Sequence, residues 1–397
     1  MRKNITQRFC IAFFVFIFSI ISISTAILNP VVIKNAPVTF CSSINNGKNF
    51  PAKNASSKYY LQDDLKNKQA KALGIKDFFK GLFRKDNKSN VKLAEKRYVY
   101  LGGFPLGFTI MCNGVVVVAI SNDSAKDVKE GDVITKINGQ EVSSVSQILG
   151  IINSEKYRSK NINIEYFRGS KKYNTTILPI YDDIQKIYKL GLWVRDNAAG
   201  VGTITYIRKD NLRFGALGHP VCDIDTGSLL PAKDGNIFKC NIVGYKKGVR
   251  GSAGELKGLF LRGGSVLGIL DTNNEYGVFG KFDENFIKNY NSEIIEVASR
   301  DEVKSGKAKI RCTIDGNIPQ DYEIEIVRTY FQSTKSNKSM FIRVTDKRLL
   351  STTGGIIQGM SGSPIIQNGK LVGAVTHVFV SDPTKGYGIY ADWMVDN

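Results

Sequence analysis

The sequence predicts a mainly β chain in three parts: an apolar N-terminal segment, a compact α+β module, and a C-terminal β-rich region of two-barrel size. Three observations carry this. Residues 9–28 hold no charge and are mostly Ile, Phe, Val and Ala. Residues 96–182 alternate short strands with one helix candidate around an Asn-Gly turn. From residue 185 to 397, short apolar runs alternate with Gly and Asn/Asp turns, the pattern of a sandwich or barrel.

The N-terminal run follows Arg2, Lys3 and Arg8 and is long enough to cross a bilayer as a helix. The positive flank stays on the cytoplasmic side, so the rest of the chain is expected to be exported. Ser24-Thr25-Ala26 offers the alternative of a cleaved signal peptide. Residues 29–95 are rich in Asn, Lys and Ser and read as a basic linker. Within them Leu65, Leu73, Ile75, Phe78, Phe79, Leu82 and Phe83 are interleaved with lysine and arginine. A helix there would be amphipathic and suited to a membrane surface, although Gly74 and Gly81 weaken it.

In the module, Tyr98 to Leu101 and Val115 to Ile120 read as strands, separated by the glycine-rich stretch Gly102-Gly103-Phe104-Pro105-Leu106-Gly107-Phe108. Gly131 to Val142 reads as two strands around Asn138-Gly139, Ser144 to Ile152 as a helix and Ile162 to Phe167 as a further strand. The succession resembles a PDZ domain, and Gly131-Asp132-Val133-Ile134-Thr135-Lys136-Ile137-Asn138-Gly139 is the stretch that carries the resemblance. It implies that Leu106, Gly107 and Phe108 present backbone amides to a peptide carboxylate, with the peptide added as a strand. The ligand could be a segment of this same chain.

The β-rich region includes the runs Leu190 to Val194, Val201 to Ile207, Ser265 to Leu270, Tyr276 to Lys281, Ala308 to Ile314, Tyr322 to Val327 and Met340 to Val344. Near its end lies Gly359-Met360-Ser361-Gly362-Ser363-Pro364, followed by Ile365-Ile366, an Asn368-Gly369 turn and the apolar run Leu371 to Thr376. Glycines on both sides let the backbone turn sharply and expose a serine nucleophile. The amides of Gly359 and Ser361 then form the expected oxyanion hole. A serine needs a base, and the chain has two histidines. His219, in the small-residue turn Gly218-His219-Pro220, is favoured, while His377 sits within a strand and reads as a pocket wall. Asp223, Asp225, Asp271 and Asp346 are all open as the third member that would orient the imidazole.

Other chemistries have less support. The six cysteines are scattered without metal-ligand spacing, and two distant histidines make a zinc site unsupported, so no metal or cofactor is expected. Cys222 is a rival nucleophile near His219, but no glycine turn surrounds it. The formal charge of +19 points to anionic lipid headgroups. No nucleic-acid motif accompanies it.

The order of anchor, basic linker, PDZ-like module and β-rich region resembles the SpoIVB peptidases of endospore-forming bacteria. Phe214-Gly215-Ala216-Leu217-Gly218-His219-Pro220, Thr353 to Pro364, and Gly373 to Val380 with Gly386-Tyr387-Gly388 carry the resemblance. It implies a trypsin-like double β-barrel with Ser361 as nucleophile, His219 as base and Asp346, fifteen residues before the serine, as the acid. That short spacing departs from chymotrypsin-like enzymes, so Asp346 would reach the histidine from a different position or act in support. It also implies self-processing and cleavage of a regulator of a membrane-embedded metalloprotease, in the space between forespore and mother-cell membranes. That metalloprotease then processes a mother-cell sigma factor precursor. Met360 before the nucleophile cannot form the ion pair of trypsin-like zymogens, and no acid marks a basic P1 pocket. An HtrA-like quality-control protease and a membrane-anchored PDZ adaptor with an inactive protease-like domain are the alternatives.

Overall fold

The computed structural model describes residues 39–40 and 96–396, apart from 122–124, 262–263, 289 and 291. The expected membrane segment, and the basic linker apart from β1 (Thr39–Phe40), lie outside the described residues. Among the described residues no helix is long and apolar enough to cross a membrane. After β1 come β2 (Tyr98–Leu101) and a sixteen-residue strand, β3 (Pro105–Ile120).

The far half of β3 enters the α+β module. That module contains β4 (Val133–Ile137), β5 (Gln140–Glu141), α1 (Val145–Ile152), β6 (Ile162–Arg168), β7 (Lys171–Ile177), β8 (Ile180–Asp182) and β9 (Ile187–Lys189). Asn138 and Gly139 both take positive φ, 47° and 79°, as a tight primed hairpin turn requires. Ser144 caps α1 through the Gln147 amide, and the Gln147 side chain returns to the Ser144 amide. Ile148 and Ile152 face a core of Val115, Val117, Ile134, Ile137, Ile162 and Ile164. Asp132, fully buried, is held by Arg168 Nε and Nη2 at 2.8 and 2.7 Å and by the Lys129 amide. A buried carboxylate is tolerated only with such partners, which explains the Asp of the Gly-Asp pair.

The chain returns through β10 (Leu192–Arg208), then β11 (Arg213–Ala216), β12 (Val221–Cys222), β13 (Ala232–Lys239), β14 (Asn241–Lys246), β15 (Glu255–Leu259), β16 (Val266–Asn274), β17 (Gly277–Phe282) and α2 (Glu284–Lys288). Six strands close a ring: β3 to β10, β11, β17, β16, β13 and back to β3. Phe108, Ile110, Ile204, Phe214, Ile237, Leu270 and Val278 fill it. The hairpin β14–β15 stands outside this ring, and β12 pairs with β1.

The remaining elements are β18 (Ile294–Val297), β19 (Gly306–Cys312), β20 (Gln320–Thr329), β21 (Met340–Val344), α3 (Lys347–Thr353), β22 (Pro364–Gln367), β23 (Lys370–Phe379), β24 (Asp382–Tyr390) and α4 (Ala391–Val395). A second six-stranded ring runs β19, β20, β21, β24, β23, β22 and back to β19. Along β19 the period-two pattern is plain: Ala308, Ile310 and Cys312 face inward, and Lys307, Lys309 and Arg311 outward. Each fully buried aliphatic side chain, such as Ile310 or Ile342, contributes about 1.5–3 kcal/mol. Asn368 and Gly369 take the positive φ expected of the turn between β22 and β23. Counting each ring's strands in chain order, both close in the sequence 1-2-3-6-5-4, so the two barrels share one winding. β2 and β18 pair with each other and link the rings, β2 to β10 and β18 to β23.

Within the expected module, β2 and the near half of β3 pair with barrel strands. The rest of the module is inserted between the first and second strands of the first barrel. Leu106, Gly107 and Phe108 therefore lie within β3 and not in a loop. Each is paired on one side with β10 and on the other with β13, so the backbone groups of this stretch serve the sheet. Gly107 has a packing role: a Cβ there would lie 2.2 Å from the Phe260 ring. Strand β10 pairs along β3 from Leu192 to Thr203.

Candidate active site

The base turn begins where β11 ends. Leu217 and Gly218 have φ of 66° and 71°, and the chain reverses to place His219 in the interior. His219 Nδ1 lies 2.9 Å from the carbonyl oxygen of Pro220. A carbonyl only accepts, so the contact places the proton on Nδ1 and leaves Nε2 as the basic nitrogen. Burial pushes the imidazole down to about 4, against the opposing pull of the Pro220 carbonyl. The ring of His377, on β23, is 5.3 Å from that of His219.

The nucleophile turn comes from the second barrel. After α3 the chain passes through Gly354 and Gly355, both at positive φ, to Gly359 (94°) and Gly362 (91°). Ser361 is nearly buried, and its Oγ donates to the carbonyl of Thr376 at 2.9 Å. Strand β10 of the first barrel fastens this turn. Thr203 Oγ1 donates to the Gly359 carbonyl at 2.8 Å, Thr205 Oγ1 to the Gly362 carbonyl at 2.7 Å, and the Thr203 amide to the Ser361 carbonyl at 3.2 Å. The Leu256 amide of β15 holds the Gln358 carbonyl at 2.8 Å. In a trans peptide this turns the Gly359 N–H the opposite way. Among the described residues neither the Gly359 nor the Ser361 amide donates a hydrogen bond.

The two turns touch. A Cβ on Gly362 would sit 2.2 Å from the Thr203 carbonyl oxygen and 2.4 Å from the Leu217 nitrogen. A Cβ on Gly218 would lie 2.9 Å from the Thr376 methyl. Serine and histidine thus converge on the Thr376–His377 stretch of β23. Met360 is buried, its sulfur 3.4 Å from the Ile357 amide.

The structure does not bring Asp346 to His219. Asp346 is the N-cap of α3, accepting from the Arg348 amide at 2.8 Å, from Arg348 Nη2 at 2.7 Å and from the Glu323 amide at 3.2 Å. The Arg348 guanidinium holds its carboxyl down at about 2, with burial opposing. Each of the other acids is also paired with an arginine: Asp223 and Asp225 with Arg195, and Asp271 with Arg213. Cys222 is disulfide-bonded and so offers no thiolate. Cys112, Cys240 and Cys312 are free and buried. No metal-ligating cluster occurs among the described residues. A cavity of about 600 Å³ lined by Phe104, Leu106, Phe238, Phe286 and Arg311 includes neither Ser361 nor His219.

Sequence reasoning missed Thr203, Thr205 and Asn273. The threonines alternate within an apolar strand, a faint sign of polar groups on one face. Asn273, which bonds both backbone groups of Val221, carries no local signal.

Two barrels of identical winding form a double β-barrel peptidase domain, in which a glycine-bounded serine turn from one barrel packs against a histidine turn from the other. The chain belongs to the SpoIVB peptidase S55 family, whose model matches residues 186–395, just over half its length. It is a serine peptidase. A PDZ domain model matches residues 84–178. The PDZ domain of the SdrC-like protein of Listeria monocytogenes is 28% identical, covering 21% of this chain and 90% of that one at a TM-score of 0.20. The active form of the Rv3671c protease of M. tuberculosis is 15% identical, covering 50% of this chain and 71% of that one at a TM-score of 0.28. No curated protein matches the chain.

Proposed function

We propose that this serine peptidase is a sporulation endopeptidase working through an acyl-enzyme, with Ser361 as nucleophile and His219 as base. The carrying observation is the contact between the two turns, Gly362 against Leu217, with the His219 proton directed to the Pro220 carbonyl. Rotation about χ1 takes the Ser361 hydroxyl from Thr376 towards the imidazole. His219 takes its proton, and the serine oxygen attacks the scissile carbonyl. The Gly359 and Ser361 amides receive the oxyanion. The proton then passes to the leaving amine, and water hydrolyses the acyl-enzyme with the same base. Asp346 acts in support: it caps the helix that feeds the nucleophile turn.

The substrates are the chain itself and the exported part of a regulator of a membrane-embedded metalloprotease, met between the forespore and mother-cell membranes. Family membership and the apolar run of residues 9–28 support this reading, and a disulfide at Cys222 suits an oxidising compartment. The test incubates the chain and its Ser361→Ala variant, alone and with the regulator's exported domain. Fragments from the parent and not the variant are expected. Equal fragmentation, or an intact verified substrate in both, refutes the reading.

A further inference from the structure

We propose that Asn273 is a positioning residue for the base, acting through the single peptide unit that joins Pro220 to Val221. The inference rests on His219 as base. The carbonyl of that peptide meets His219 Nδ1 at 2.9 Å. Its N–H, on Val221, donates to Asn273 Oδ1 at 2.9 Å. The peptide is planar and trans, so its N–H and C=O point in opposite directions. Fixing one end fixes the other. The result is a chain of hydrogen bonds from the Asn273 carbonyl through the peptide to the imidazole, and each bond in such a chain polarises the next.

Asn273 is itself fixed. Its Nδ2 donates to the Val221 carbonyl at 2.8 Å and to the Leu230 carbonyl at 2.9 Å. All its bonds are therefore made to backbone, and its amide orientation follows from two acceptors on one side and a donor on the other. It projects from the end of β16, next to the hairpin that β16 forms with β17 (Asn274↔Gly277). A triad acid has two tasks: to keep the proton on Nδ1 and to hold the ring. Here every sequence-nominated acid is paired with an arginine, and a backbone carbonyl steadied by Asn273 performs both tasks without a charge. The His377 ring faces that of His219, with centroids 5.3 Å apart.

The test uses the full chain and a fluorophosphonate that labels an activated serine, followed by mass mapping of Ser361 and a pH profile of the labelling rate. Asn273→Ala should slow Ser361 labelling by about 10- to 100-fold, the scale of a misplaced reacting group, with substrate KM little changed. Asn273→Asp keeps the acceptor towards Val221 N–H but sets an oxygen against the Val221 and Leu230 carbonyls, so it should label as slowly as Ala. In a His219→Ala background, Asn273→Ala should add no further loss, since the two act as one unit. Losses that multiply in the double variant, or labelling at the parent rate in a folded Asn273→Ala or Asn273→Asp, overturn the proposal. If Asn273→Ala fails to fold, Asn273→Asp takes its place in the same comparison with His219→Ala. Unchanged labelling in His219→Ala overturns the assignment of the base itself, and the Asn273 proposal with it.

Discussion

Replacing Asp346 separates a helix cap from a catalytic acid. In the structure the carboxylate accepts from the amides of Arg348 and Glu323 and from the Arg348 guanidinium, and has no bond to His219. Asp346→Ala removes the cap, which costs about 0.5–2 kcal/mol. The Arg348 side chain is 64% exposed, so its ion pair adds at most about 1 kcal/mol. Asp346→Asn keeps an N-cap acceptor and should lose about 1 kcal/mol or less. The assay pairs a urea titration with the rate of Ser361 acylation at matched fractions folded. Both variants should then acylate within a few-fold of the parent. A triad acid behaves otherwise: loss of its charge drops turnover by about 10⁴ with the fold intact. A fall of that order in a stable Asp346→Asn protein would refute the reasoning.

Gly362→Ala should destabilise by about 2–5 kcal/mol, because its Cβ meets the Thr203 and Leu217 backbone and φ is +91°; Gly369→Ala, with nothing within 4 Å of its Cβ, should cost only about 1–2 kcal/mol in the same titration. His219 has its folded value near 4, below the usual 6.5, so the unfolded chain takes up the proton first. Stability should therefore fall as pH drops from about 6.5 to 4, at up to about 1.4 kcal/mol per unit. The acid limb of kcat/KM should lie well below 6.5, and a limb at 6.5 or above would contradict the burial. Arg168→Ala strands the buried Asp132 carboxylate and should cost about 3–5 kcal/mol, read as lost hydrogen-exchange protection in β4 and β6.

The turns of the candidate site were legible where conformation is written locally. Gly359 and Gly362 take the positive φ that glycine favours on either side of Ser361, and with two histidines in the chain the choice of candidate base was narrow. The Asn138-Gly139 and Asn368-Gly369 turns were legible for the same reason, since both positions need positive φ. What stayed hidden is long-range pairing. Pro105 to Phe108 has the apolar and glycine content of a binding loop and of a barrel strand alike; only β10 and β13, about a hundred residues on, decide between them. Barrel closure between β19 and β22 is equally non-local. Thr203 and Asn273 act through bonds to distant backbone, which no neighbouring residue announces. For Asp346 the sequence left two roles open, because a carboxylate before a helix serves as a cap as readily as an acid.

The most direct measurement is the identity of the acylated residue. The full chain is treated with an activated ester, quenched in acid, and its peptides are mapped by mass. The account predicts an acyl group on Ser361, absent in Ser361→Ala and formed far more slowly in His219→Ala. Turnover that persists in Ser361→Ala, or an acyl group carried by another residue in an active parent, would contradict it.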